Sequence, residues 1–114
     1  ECTLQNFCEM LARAVERFGI EHIGIGSDLC QDQPDSVVEW MRNGRWTNER
    51  DFGEGSADKP GFPEQPSWFR DNRDFPNIAV GLKEVGFDNE SVDAVMGNNW
   101  LRFFGQSFVS TEVR

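Results

Sequence analysis

Glu21-His22-Ile23-Gly24-Ile25-Gly26-Ser27-Asp28-Leu29-Cys30-Gln31 is the stretch on which the fold turns. Ile23 and Ile25 share one face at a period of two. Gly24 and Gly26 leave the other face bare, as suits a close approach by another backbone or a ligand. The pattern predicts a buried strand over residues 20–26 that delivers Asp28 to the loop just beyond its end. In parallel α/β folds catalytic groups gather at the carboxyl ends of strands, which makes Asp28 the candidate functional residue.

Upstream, Leu4, Phe7, Cys8, Leu11, Val15 and Phe18 recur at helical spacing, with Thr3 placed to cap and Gly19 to stop. This predicts a helix over 3–18 that packs one apolar face on a sheet. Helix, glycine and strand then form an α-to-β unit with the short connection usual in barrels.

Downstream the composition changes. Residues 32–74 hold four of the five prolines, with aromatic residues scattered through polar sequence. A long loop is expected there, ordered because of its aromatics, and interrupted by a short helix near 35–43 with a capping box from Ser36 to Glu39. Trp40, Trp46, Trp68 and Phe69 serve either a substrate pocket or subunit contact, or simply pack the loop. Residues 76–104 read as terminal helices: Pro76 at a first turn, Gly86 past an end, Asp88 as the next cap, and Gly97-Asn98-Asn99 as a break, Asn98 being able to hold a left-handed backbone.

Phe75-Pro76-Asn77, Gly81-Leu82, Gly86 and Met96-Gly97-Asn98-Asn99-Trp100-Leu101-Arg102-Phe103-Phe104, taken with Ile23 to Asp28, carry a resemblance. Ile23 to Asp28 resembles the "G-I-G-S-D" strand of the renal (membrane) dipeptidase family of zinc peptidases, and the later pieces are similar to that family's closing signature. The family's Gly-Gly-Asn stands here as Gly-Asn-Asn, and Cys30 stands where many members carry a second Asp. The resemblance implies an α/β fold, here the carboxy-terminal fragment of a (β/α)8 TIM-type barrel: last strand, flanking helices and a long loop, mostly helical as it stands. A complete barrel takes about 250 residues, so the remainder of the barrel would lie upstream.

For function, the resemblance implies a zinc-dependent hydrolase cleaving dipeptides or similar small amides. The parent would use two zinc ions, with no metal ligand in this chain. It also implies that Asp28 lies beside the metal-bound water and the substrate's amino group, binding substrate and shuttling a proton to the leaving amine. A homodimer is left open, and the cytoplasm is favoured as compartment. The alternative class is a small acidic non-catalytic binding module with the aromatic loop as its contact surface.

Charge and motif spacing exclude several functions. A net charge of −9 argues against nucleic acid or an anionic membrane surface as partner, and no apolar run approaches a membrane span. The sole histidine, His22, precedes the strand and reads as structural. Cys8 belongs to a helix face, and Cys2, Cys8 and Cys30 fit no zinc knuckle. Cys30 lacks a base within reach, and Asp32 with Asp35, or Asp71 with Asp74, lack the rest of a calcium loop of the EF-hand type.

Overall fold

A computed structural model describes residues 2–30, 32–45, 47–52, 56–58 and 64–108. The chain divides into two compact units: one of residues 1–27 and 66–114, the other of residues 28–65. The helical part of the expectation holds. Among the described residues there is no β-strand, and the chain is mostly helical.

In the first unit, α1 spans Leu4–Phe18, and the Thr3 hydroxyl accepts from the Asn6 amide at 3.1 Å as its cap. Gly19, at φ 88, ends it and returns its amide to Val15 O. Cys8 and Leu11 are buried against α3, Phe75–Glu84, whose Ile78 and Leu82 are equally inaccessible. The two helices meet closely at Gly81, where an added Cβ would lie 2.8 Å from Cys8 Sγ. Burial, with the Glu84 carboxylate as a smaller contribution, pushes the Cys8 thiol above its ordinary pKa. Phe18, expected on the apolar face, is exposed, with Arg17 over its ring.

α3 is well delimited. A 3₁₀ turn, Asn72–Asp74, precedes it with a capping box between Asp71 and Asp74. Its end is a Schellman arrangement: Gly86, at φ 102, donates to Lys83 O and Phe87 donates to Leu82 O. Asp88 then caps α4, Asn89–Asp93, through the Ser91 amide.

The expected break at Gly97-Asn98-Asn99 does not occur. α4 continues through a π-helical turn, Ala94–Asn98, into α5, Asn99–Ser107, and Asn98 keeps a right-handed φ of −63°. Glycine and asparagine are poor helix formers, but burial of Val95 and Asn99 outweighs that preference. The helix passes through this segment as a widened turn, the usual form of a π-bulge.

The predicted strand is also corrected. Ile20–His22 forms a 3₁₀ turn, and the chain leaves it in extended geometry at Ile23, φ −107 and ψ 128. A strand exists only through a partner's ladder, and an alternating pattern supplies none.

In the second unit, α2 spans Asp35–Arg42 as expected and buries Val38. The Ser36-to-Glu39 capping box does not form, because Pro34 holds the cap position and Glu39 pairs with Arg50. Asn43 then braces the following turn, donating to Asp51 O and accepting from the Asp51 amide. The expected 32–74 loop is not one body: Trp68 and Phe69 belong to the first unit. Trp46 and Phe62 lie outside the described residues.

Candidate functional site

The two stretches that carry the resemblance, some 75 residues apart, meet within the first unit. Asn99 is 7% exposed, and its Nδ2 donates to Ile20 O at 2.7 Å and to Ile23 O at 2.8 Å. Its Oδ1 accepts from Arg102 Nη1 at 3.0 Å, while Arg102 Nη2 donates to Glu21 O. One residue along, the Trp100 indole donates to Ile25 O at 3.0 Å. Side chains at the start of α5 thus satisfy the carbonyls of Ile20, Glu21, Ile23 and Ile25, a task that a neighbouring strand would perform in a sheet.

Gly24 is required by this arrangement. A Cβ there would lie 2.6 Å from Trp100 Nε1, inside any tolerable contact. A group does approach Gly24 closely, but it is the Trp100 indole rather than the backbone or ligand expected there.

Two cavities flank Trp100. One, of about 630 Å³, is lined by Glu21, Gly24, Asn99, Arg102 and Phe103 among others. The second, of about 590 Å³ and more open, lies along Ile25, Gly26, Met96 and Phe104. The outer side of α5 carries an aromatic ladder: Trp100 stacks on Phe104 (5.4 Å, 18°) and Phe104 on Phe108 (5.8 Å, 25°). These rings are substantially exposed.

The chain matches no protein-family model, no curated protein and no solved structure.

Asp28, the candidate catalytic and substrate-binding residue, begins the second unit. It is exposed and left-handed, φ 49, a conformation that aspartate tolerates better than most residues. Its carbonyl accepts a weak bond from Cys30 Sγ at 3.9 Å. His22, read as structural, is exposed on the 3₁₀ turn, with Nε2 3.4 Å from Glu21 Oε1. Among the described residues, no three His, Cys, Asp or Glu side chains converge as metal ligands do. No described helix is long and apolar enough to cross a membrane.

Asp71 and Asp74 prove to be helix-capping groups. The Arg73 guanidinium, assisted by the Arg73 backbone amide, lowers the Asp71 carboxyl to about 2. Trp68 packs at 5.2 Å from Phe7, donates its indole N–H to Cys2 O, and through its own carbonyl accepts from Asn77 Nδ2. Those contacts favour the packing role for Trp68. In the second unit Trp40 is 70% exposed.

The residue that reading the sequence missed is Asn99, taken there as part of a helix break. A signal was present: asparagine inside a helical pattern competes with the backbone for hydrogen bonds and needs a specific reason to be there.

Proposed function

We propose that this chain is the carboxy-terminal part of a zinc-dependent, membrane-dipeptidase-like hydrolase that cleaves dipeptides or similar small amides, completed by an upstream remainder of a (β/α)8 barrel. The observation that supports this reading is the clamp itself. Residues quoted for the resemblance at the two ends of the chain hold each other: Asn99 bonds to Ile23 O and Trp100 to Ile25 O.

The residues described here do not fit a zinc centre. The single histidine is engaged with Glu21, and no third donor joins them. On this reading the zinc ligands belong to the upstream part, and Asp28 is assigned chemistry of its own. Its carboxylate accepts a proton from the attacking water and returns it to the departing amine, the work of a general base that then serves as general acid. Its exposure leaves it open to solvent and substrate alike.

The test is Asp28→Asn in the full-length parent, assayed on a dipeptide. Loss of the carboxylate should lower kcat by about 10²–10⁴, the range for a lost general acid–base group, with bound zinc unchanged. Undiminished hydrolysis removes the role.

A second reading draws on the aromatic ladder of α5. Exposed and nearly free of charge, it suits a non-catalytic binding module. A full-length protein that neither holds zinc nor hydrolyses dipeptides would favour that reading.

A further inference from the structure

The cavity beside Arg102 has the size of a small-molecule site, about 630 Å³. Its floor is apolar and aromatic, supplied by Phe103 and Trp100, which meet edge to face at 6.0 Å. Its cation is Arg102, with Glu21 and His22 also on the lining. A guanidinium has five N–H donors, and two bonds, to Asn99 Oδ1 and Glu21 O, fix it in place. Both acceptors are uncharged, and among the described residues no carboxylate pairs with Arg102. The Glu21 carboxylate, though close in sequence, folds back over Gly19, where it would lie 2.9 Å from an added Cβ, and faces His22.

A cation that no described carboxylate pairs with, fixed at the edge of an aromatic floor, recognises a planar anion attached to an apolar group. Carboxylates match the guanidinium fork in geometry as well as charge. Phe103, 53% exposed, would lose water against a ring. The pre-fixed guanidinium adds little ordering cost on binding. We propose that this cleft, between Glu21–Gly24 and the first turns of α5, binds a small aromatic carboxylate, with the carboxylate on Arg102 and the ring on Phe103 and Trp100. The site does not involve Asp28 and stands whether or not the hydrolase reading does.

N-acetylphenylalanine and its uncharged carboxamide form the matched probe pair, titrated into the full 114-residue chain and followed by the indole N–H resonance of Trp100 and by calorimetry. The acid should bind with a Kd of about 1 mM, as expected for so small a ligand, and the amide at least tenfold more weakly. Phe103→Ala removes an exposed ring that makes none of the clamp's hydrogen bonds and should weaken the acid about tenfold. Arg102→Lys keeps the charge but loses the fork, and should weaken it as well. Equal binding of acid and amide, no binding of the acid at 10 mM (roughly tenfold above the expected Kd), or unaltered binding in a folded Phe103→Ala protein would each overturn the proposal.

Discussion

The indole of Trp100 occupies the space that a side chain at position 24 would need, since a Cβ on Gly24 would lie 2.6 Å from Trp100 Nε1. The same indole nitrogen donates to Ile25 O. Gly24→Ala must therefore push the ring aside and break that bond. Overpacking of this kind costs about 1–3 kcal/mol, and denaturant titration should show the midpoint falling accordingly. Gly26→Ala is the control, because among the described residues nothing beyond its chain neighbours lies within 4 Å of its added Cβ.

Asn99→Ala removes both donors to Ile20 O and Ile23 O and the acceptor for Arg102. Ile20 O still accepts from the Ile23 amide, so the chief loss is at the partly buried Ile23 O, and a hydrogen bond of that kind contributes about 0.5–1.5 kcal/mol. The loss should be local as well as global, with amide exchange accelerating first over residues 20–25. Asn99→Asp keeps the shape but sets acceptors against acceptors, so it should be no better than alanine. A neutral outcome for both would show that the amide is not what fastens the segment to α5.

Trp68→Ala should act on stability. The ring packs on Phe7 and Phe69 and bonds to Cys2 O. Its half-buried removal is expected to cost about 2 kcal/mol, roughly 10 °C in Tm for a chain of this size. Unchanged melting with altered ligand or substrate preference would return Trp68 to the pocket role.

Asp71 should titrate at about 2, well below an ordinary aspartate, chiefly because of the Arg73 guanidinium. A folded pKa below the unfolded one gives stability that is present above the unfolded value and is lost as pH falls through the folded one. The small contribution of this exposed pair should thus persist at pH 5 and fade between about 4 and 2. Carboxyl NMR shifts across that range read it directly. Arg73→Gln should raise the Asp71 pKa, though not fully, since the backbone amide at 73 still donates to Oδ1.

Local signals in the sequence determined the helices and their ends. Thr3, Gly19, Gly86 and Asp88 act within a turn of their own backbone, through a hydroxyl, a carboxylate or a positive φ, so neighbouring residues suffice to read them. Residues 20–26 and 97–99 were misread for the opposite reason. Alternation of Ile and Gly describes a segment ready to be paired but cannot supply the partner, and Gly97-Asn98-Asn99 looks like a break until the hydrogen bonds of Asn99 are counted. Only the tertiary structure brings Asn99, Trp100 and Arg102 to the carbonyls of Ile20 to Ile25, bonds that span 75 residues or more of chain. The bonds that Asn99, Trp100 and Arg102 make to those carbonyls, with the burial of Val95 and Asn99, offset the local helix preference that Gly97 and the two asparagines forfeit, and so the helix runs on where its sequence says stop.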